Sequence, residues 1–150
     1  MTRTAVVNTR GGTFRITEED GAIVRLAWGG GNGGAETPVL CAASRWLVDY
    51  FDGRVRKVDF PVRAKGTPFQ HAVWKRMSEI RPGEMMTYGD LARELGTSPR
   101  AVGNACGANP VAIIVPCHRV VGSDGSLGGY SGGKGLATKR ALLDAEAALA

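Results

Sequence analysis

The sequence predicts an α/β protein of two domains: a small amino-terminal β-sheet plus helix domain over residues 1–66, followed by a helical winged-helix (helix-turn-helix) domain over residues 67–150. Three observations predict this fold. Short β-rich segments separated by glycine turns occupy the first half. In the second half, short capped helices are joined by a glycine-containing turn, and a hairpin signal follows them. With 43% hydrophobic and 22% charged residues, the composition is that of a folded globular protein.

The amino-terminal half carries strand and cap signals. Three strand candidates come first: Thr4–Asn8, Thr13–Thr17 and Ile23–Trp28. Gly29–Gly34 predicts a flexible loop and not a phosphate cradle, because no Lys-Ser or Lys-Thr pair ends it. Thr37 as N-cap and Pro38 in the first turn predict a helix to about Phe51. Lys57–Phe60 predicts a fourth strand.

The second half begins with three helix starts. Thr67–Gln70 has the pattern of a capping box, and it predicts a helix with one apolar face made of Phe69, Val73, Met77 and Ile80. Thr87–Asp90 opens a second helix, which Gly96 closes, and Ser98 opens a third that runs to about Gly107. The last two helices indicate a helix-turn-helix, whose third helix usually meets DNA. An ordinary helical hairpin packed in a core is the alternative.

A thiol and an imidazole follow the next apolar run. Val111–Val115 predicts a buried strand that Pro116 ends, so Cys117 and His118 come just past a rigid strand end. A hairpin with its turn at Ser123–Gly125 is predicted after them. Cysteine is a strong nucleophile only as the thiolate, so a neighbouring base would matter. Alternatively, Cys117 is a small core side chain and His118 an incidental neighbour.

Glu146 is the candidate partner of that histidine. The final helix is predicted from Leu136 to Leu149, and Glu146 lies near its apolar stripe of Leu142, Leu143 and Leu149. A buried carboxylate needs a partner, whereas a carboxylate at the edge of the stripe would be solvated. Adjacent residues of an extended segment point to opposite sides. His118 therefore acts on Cys117 through a water, or the chain turns sharply after Pro116.

Charge and cysteine content bound the function further. The net charge is +5, and Leu95–Ser123 holds Arg100 and Arg119 but no acid, as a phosphate-facing surface requires. Three widely spaced cysteines do not make a disulfide framework, so a reducing cytoplasm is expected. No zinc-ligand spacing, no signal-peptide core and no apolar stretch of membrane-spanning length is found in the sequence. No metal and no membrane partner are therefore expected.

Four segments closely resemble the methylated-DNA–protein-cysteine methyltransferases, also called O6-alkylguanine-DNA alkyltransferases: Arg100-Ala101-Val102-Gly103, Asn109-Pro110, Pro116–Val120 and Gly129–Gly133. Further motifs extend the likeness over nearly all of residues 67–150: Phe69-Gln70, Val73-Trp74, Thr87-Tyr88-Gly89 and Lys139–Leu143. Residues 1–66 resemble the family's variable amino-terminal domain only in length, strand order and the segment Tyr50-Phe51-Asp52-Gly53.

The resemblance implies an irreversible, single-turnover transfer of an alkyl group from O6 of guanine, and also from O4 of thymine, in duplex DNA. Cys117 would be the nucleophile and acceptor, His118 the base that acts through a water, and Glu146 the group that orients His118. Asn109 would brace the backbone beside the cysteine, and Tyr88 would hydrogen-bond the leaving guanine.

The remaining implied roles concern substrate and DNA. Around the base, the resemblance implies contacts from Tyr88, Val120, Tyr130 and Ser131. On the duplex, it implies an Arg100 finger that replaces a flipped nucleotide, with Ala101, Gly103 and Ser123 also at the DNA. For Arg100 alone, a simple phosphate clamp is the alternative. No cofactor is implied, a monomer is expected, and binding to DNA would associate a cytoplasmic protein with the nucleoid.

Two departures from the family pattern limit what can be carried over. Lys134–Thr138 is about two residues longer than in the family members compared, and it borders the substrate pocket, so the range of alkyl groups is open. The amino-terminal zinc site of some members has no counterpart. A damage-sensing or transcriptional DNA-binding protein without transfer chemistry is the alternative function, which the intact Cys117 disfavours. A Cys-His-Glu hydrolase is a weaker one, since no oxyanion-hole motif is evident.

Overall fold

The computed structural model describes residues 1–130 and 132–149, and the chain divides into two compact units, Met1–Lys65 and Gly66–Ala150. The first unit holds a three-stranded antiparallel sheet in the order β1 (Thr2–Thr9), β2 (Gly12–Glu19), β3 (Ala22–Trp28). Helix α1 (Pro38–Phe51) packs on this sheet. Its core consists of side chains from all four elements, among them Phe14, Ile16, Ile23, Leu40 and Leu47.

Local signals explain these elements. Alternate residues of β2 are buried, because successive side chains of a strand point to opposite faces. At the start of α1, the Thr37 hydroxyl accepts from the Leu40 N–H at 3.2 Å and donates to Glu18 at 2.5 Å. The three strand predictions and the helix prediction are confirmed.

The fourth strand predicted at Lys57–Phe60 is wrong. These residues have no strand geometry, and the chain instead meets β3 at one isolated bridge between Ile23 and Val62. Phe60 is nonetheless buried, with its ring 6.4 Å from that of Trp46. The apolar Phe60 therefore indicated a buried residue and not a strand, and the only pairing described here between this part of the chain and β3 is the Ile23–Val62 bridge.

The described residues of the second unit form four α-helices and one two-stranded sheet. In chain order these are α2 (Pro68–Met77), β4 (Met86–Thr87), α3 (Tyr88–Leu95), α4 (Pro99–Gly107), a 3-10 turn (Cys117–Arg119), β5 (Val120–Val121) and α5 (Leu136–Ala147). Thr67 and Thr87 form the capping boxes of α2 and α3, Ser98 caps α4, and Gly96 ends α3 with φ +65°. The three predicted helix starts are confirmed.

The predicted strand Val111–Val115 is buried but forms a tight turn. The Val115 N–H donates to the Val111 carbonyl at 2.9 Å, and Ile113 has φ +71°. Asn109 braces this turn from both sides, since its side chain donates to the Val115 carbonyl at 2.8 Å and accepts from the Val111 N–H at 3.0 Å. An apolar run reports burial, and periodicity alone does not distinguish a buried strand from a buried turn.

Two smaller expectations also need correction. The turn at Ser123–Gly125 is present, but β5 pairs in parallel with β4 and not with a returning hairpin strand. Phe69 is 38% exposed, and Trp74 takes its place in the core, where Nε1 donates to the Ala105 carbonyl at 2.8 Å. No helix within the described part of the chain has the length and apolar character to cross a bilayer.

Candidate active site

A cavity of about 610 Å³ opens in the second unit, among helices α3 and α4, the 3-10 turn and the segment before α5. Its lining combines two thiols, two phenols, one guanidinium and several small residues: Tyr88, Pro99, Arg100, Gly103, Cys106, Gly107, Cys117, Gly129 and Tyr130. The structure therefore brings together five of the residues that the sequence singled out: Tyr88, Arg100, Gly103, Cys117 and Tyr130.

Cys117 begins the 3-10 turn, so the backbone bends sharply directly after Pro116. A sharp turn at this point was one of the two arrangements expected from the sequence, the other being a bridging water between His118 and Cys117. The side chain lines the cavity, yet Cys117 is only 7% exposed. Burial raises the pKa of the Cys117 thiol, while a hydrogen bond from Asn109 and the positive charge of Lys139 act in the opposite direction. Since burial is the largest effect, the resting side chain is a thiol at neutral pH.

His118 and Glu146 lie behind the cavity as a fully buried pair. His118 Nε2 is 2.7 Å from Glu146 Oε2. Burial lowers the pKa of His118, although Glu146 opposes this shift. A neutral imidazole that donates from Nε2 has an unprotonated Nδ1, and this atom is buried without a hydrogen-bond partner among the described residues. The arrangement can accept a proton at Nδ1 while Glu146 stabilises the resulting charge.

Arg119 forms a bidentate hydrogen-bonded ion pair with the Glu146 carboxylate. Its Nε and Nη2 donate to the two Glu146 oxygens at 2.8 and 2.9 Å, and Nη1 donates to the Ile80 carbonyl at 2.6 Å. The alternative of a solvated Glu146 is therefore wrong. Of the two arginines in the acid-free window Leu95–Ser123, Arg119 is not available to a phosphate, because its guanidinium is buried in this bidentate pair.

Lys139 is the functional residue that the sequence reasoning missed. Its side chain is fully buried, and Nζ donates to the Tyr88 hydroxyl and to three backbone carbonyls. A signal was available, because Lys139 and Glu146 share one helical stripe with Leu142 and Leu143, at spacings of three, four and seven residues. Two charged residues on an apolar stripe indicate a buried polar cluster.

Two phenols, Tyr88 and Tyr130, line the cavity. Tyr88 begins α3, and burial raises its pKa, so the phenol is protonated at neutral pH. Burial likewise raises the pKa of Tyr130. Gly128 approaches the Tyr88 ring so closely that a Cβ atom there would lie 2.6 Å from it, and its φ is +75°. Only glycine fits this contact.

Other predicted residues surround the cavity without lining it. Val120 is fully buried and its carbonyl oxygen accepts a hydrogen bond from Lys139 Nζ, whereas Asn109 braces the turn that precedes Cys117. Ala101 is half-buried in α4, and Ser123 is exposed in the turn after β5. Ser131, which the sequence analysis assigned to substrate binding, lies outside the described residues.

Arg100 is exposed in the first turn of α4, beside the Ser98 cap. Its neighbours along the helix are small, and Gly103 lies under Tyr88, with the position of a Cβ atom 4.0 Å from the ring. A helix amino terminus favours negative charge. An anion that approaches the cavity would therefore meet both the amino terminus of α4 and the exposed guanidinium of Arg100.

The comparisons with known proteins agree with this site. The family model described as "6-O-methylguanine DNA methyltransferase, DNA binding domain" matches residues 68–148. The chain belongs to this methyltransferase family. The match includes every element that surrounds the cavity.

Individual relatives extend the comparison. A methylated-DNA–protein-cysteine methyltransferase from Methanosarcina acetivorans is 47% identical over 106 residues, which are 69% of this chain and 67% of that protein. One from Mycobacterium bovis is 48% identical over 102 residues, and this segment spans only 61% of its length. The solved structure of Mycobacterium tuberculosis OGT in complex with DNA has a TM-score of 0.81 at 35% identity, covering 99% of this chain and 94% of that one.

The methyltransferase fold seen here has a small antiparallel sheet with helices, as the sequence predicted in outline. In the described ranges, no group of three or more His, Cys, Asp or Glu side chains is arranged to hold a metal ion.

Proposed function

We propose that this methyltransferase repairs O6-alkylguanine in duplex DNA, and also O4-alkylthymine, by irreversible transfer of the alkyl group to Cys117. The observation that carries the proposal is that Cys117 lines the cavity and that the next residue, His118, is buried in a pair with Glu146. Because the product is a thioether, each molecule reacts once.

In the proposed mechanism, His118 activates the thiol. Nδ1 of neutral His118 takes the Cys117 proton through one bridging water, and Glu146 stabilises the imidazolium. The sulfur then attacks the alkyl carbon in line with the bond to O6. As the S–C bond forms, the C–O6 bond breaks and its electron pair stays on the guanine.

The base is held by the residues around the cavity. Tyr88 hydrogen-bonds a ring nitrogen and supplies the proton that the leaving guanine needs, while Tyr130 borders O6. The contact expected from Ser131 lies outside the described residues. Val120 is fully buried and supports this wall from behind. Support for Tyr88 comes from its protonated phenol on the lining.

DNA engages the helix-turn-helix in this proposal. Helices α3 and α4, together with the turn at Ser123–Gly125, act as a winged helix, and Ala101 and Gly103 allow close approach to the duplex. Arg100 enters the stack and replaces the flipped nucleotide. Flipping is needed because O6 is not reachable within the stack, and unstacking requires a few kcal/mol. The exposed position of Arg100 at the cavity mouth supports this role.

In this mechanism the protein acts as a monomer without a cofactor. The Cys117 thiol lies in the cavity of one chain, and the alkyl group that it accepts is carried by the DNA. A reducing cytoplasm, where the DNA also is, would keep the free thiol of Cys117 available.

The experiment is the intact mass of the protein after incubation with duplex DNA containing O6-methylguanine. We expect a gain of one methyl group, located on Cys117 and not on Cys41 or Cys106. Cys117→Ser and an unmethylated duplex are the matched controls. Binding of the methylated duplex without any mass gain would favour a damage sensor, and removal of many lesions per protein molecule would contradict the single-turnover mechanism.

A further inference from the structure

The cavity holds a second thiol, which has no part in the proposed transfer mechanism. Cys106 lies in the last turn of α4 and lines the cavity together with Cys117. A negative charge on Cys117 raises the pKa of Cys106, so the two sulfur atoms are close enough to interact electrostatically. Two thiols that share one cavity can react with the same small molecule.

Asn109 contacts both cysteines. Its backbone N–H donates to the Cys106 carbonyl at 3.2 Å, and its side chain donates a hydrogen bond to the Cys117 sulfur. The same side chain braces the turn at Val111–Val115, within the short segment that connects the two cysteines. This segment therefore turns back on itself and brings both of its ends to one cavity.

The hydrogen bonds of the two thiols favour different protonation states. The bond from Asn109 favours the thiolate of Cys117 and opposes the effect of burial on its pKa. Cys106 Sγ instead donates to Met77 Sδ, with the sulfur atoms 3.5 Å apart, and this contact requires the protonated thiol. Burial also raises the pKa of Cys106 to about 12. Because oxidants react with the thiolate, Cys117 is oxidised first and Cys106 is left as a thiol beside it.

We propose that Cys106 and Cys117 form an oxidative modification site, at which a hydroperoxide oxidises Cys117 and Cys106 converts the product into an intramolecular disulfide. In the first step the Cys117 sulfur takes one oxygen from the peroxide, the O–O bond breaks, and an alcohol or water leaves. In the second step the Cys106 sulfur attacks the sulfenic acid of Cys117. The S–S bond forms, the S–O bond breaks, and the hydroxyl leaves as water with the Cys106 proton. The two thiols lose the two electrons that the peroxide gains.

The disulfide preserves Cys117 in a recoverable form. A sulfenic acid that meets no thiol is oxidised further to a sulfinic acid, which ordinary thiols do not reduce. A disulfide, in contrast, returns to two thiols by exchange with a reducing thiol. The value of this recovery for alkyl transfer rests on the proposed function, whereas formation of the disulfide does not.

Mapping of the disulfide after treatment with hydrogen peroxide tests the inference. The intact mass of the oxidised protein is measured, the remaining thiols are blocked with iodoacetamide, and the peptides are mapped without a reductant. Wild type should lose two hydrogen atoms and contain a bond between Cys106 and Cys117. Cys106→Ser should instead gain two oxygen atoms at Cys117, because no neighbouring thiol traps the sulfenic acid. Cys41→Ser, which removes an exposed thiol, is the matched control and should form the same bond as wild type.

Recovery of alkyl transfer is the second measurement. Each protein is oxidised, reduced with dithiothreitol and compared with its own single-turnover rate before oxidation, on duplex DNA containing O6-methylguanine. Wild type and Cys41→Ser should lose transfer on oxidation and regain nearly all of it on reduction. Cys106→Ser should regain at least about 10-fold less, because dithiothreitol does not reduce a sulfinic acid.

Two results would overturn the inference: oxidised wild type without a bond between Cys106 and Cys117, and equal recovery of wild type and Cys106→Ser. Should Cys106→Ser not fold, Cys106→Ala replaces it, and the mapping in wild type decides without either variant. If reduced wild type transfers no alkyl group, the proposed function fails, and the mapping still decides whether the two cysteines form the modification site.

Discussion

At Cys117 the protein holds a nucleophile in its unreactive form. Burial keeps the thiol protonated, while the nearest base, His118, is itself buried and neutral. Both shifts favour the uncharged pair over the thiolate–imidazolium pair. The activated form must therefore be stabilised within the complex, by the Glu146 carboxylate behind His118 and by the Lys139 charge near the sulfur.

This arrangement predicts different phenotypes for the two members of the relay. His118→Gln should slow single-turnover transfer by about 10²–10⁴-fold, the usual contribution of a general base, and leave DNA affinity nearly unchanged. Glu146→Gln should slow transfer as well, but it also leaves the buried Arg119 charge without its carboxylate, so thermal stability should drop. Quench-flow kinetics and thermal unfolding measure both. Wild-type rates in both variants would contradict the relay.

At the scale of elements, local signals were sufficient for most of the fold. Caps such as Thr37, Thr67 and Thr87 depend on bonds within one helical turn, so the sequence alone predicts where those helices begin. The turn at Val111–Val115 was missed because its geometry depends on Asn109, and an apolar run carries no record of that contact.

The residues of the site could be predicted where they lie in a sequence motif that resembles the family. Cys117, His118 and Tyr88 lie in motifs that can be matched directly. Lys139 and Arg119 received no role from the sequence because charged side chains are mostly exposed, and only tertiary packing brings Lys139 to four neutral oxygens and Arg119 to Glu146.

Helix α4 carries Arg100 at the cavity mouth. This position allows a test of whether Arg100 replaces a flipped nucleotide or only holds a phosphate. If Arg100 replaces the flipped base, Arg100→Ala should reduce repair of a paired lesion far more than reaction with free O6-benzylguanine, which needs no flipping. A lesion that is already unpaired should partly rescue the variant. Single-turnover rates on the three substrates provide the measurement, and Arg93→Ala, which removes an exposed arginine side chain of α3, is the control.

A phosphate clamp would behave differently. It would weaken binding to all DNA substrates alike and reduce the slope of log affinity against log salt by about one unit. Equal losses on paired and unpaired lesions would therefore assign Arg100 to the clamp.

For the whole molecule, the buried charges link stability to pH. Burial lowers the pKa of His118 below its ordinary value of 6.5, and the charges of Arg119 and Lys139 act in the same direction, while Glu146 opposes the shift. The unfolded chain therefore binds more protons than the folded chain in this pH range. The free energy of unfolding decreases as the pH falls through 6.5, and the decrease ends once the pH is below the pKa of His118 in the folded protein.

The expected result is a melting temperature that drops between about pH 8 and about pH 5 more steeply in wild type than in His118→Gln, since glutamine does not titrate in this range. Differential scanning fluorimetry across that range measures the slope. His71→Gln, which removes an exposed histidine, should keep the wild-type slope. Parallel profiles for wild type and His118→Gln would show that His118 does not couple folding to pH.

The burial of Cys117 also concerns the chemicals that create DNA lesions. Methylating agents are small electrophiles, and they attack thiolates in solution as readily as they attack guanine. If each molecule reacts once, as proposed, an open thiolate would be used up by the agents that cause the damage. Cys41 is exposed, whereas Cys117 is buried and protonated, so alkylation by such agents should occur first on a cysteine outside the cavity. Burial thus protects the proposed alkyl acceptor while methylating agents are present.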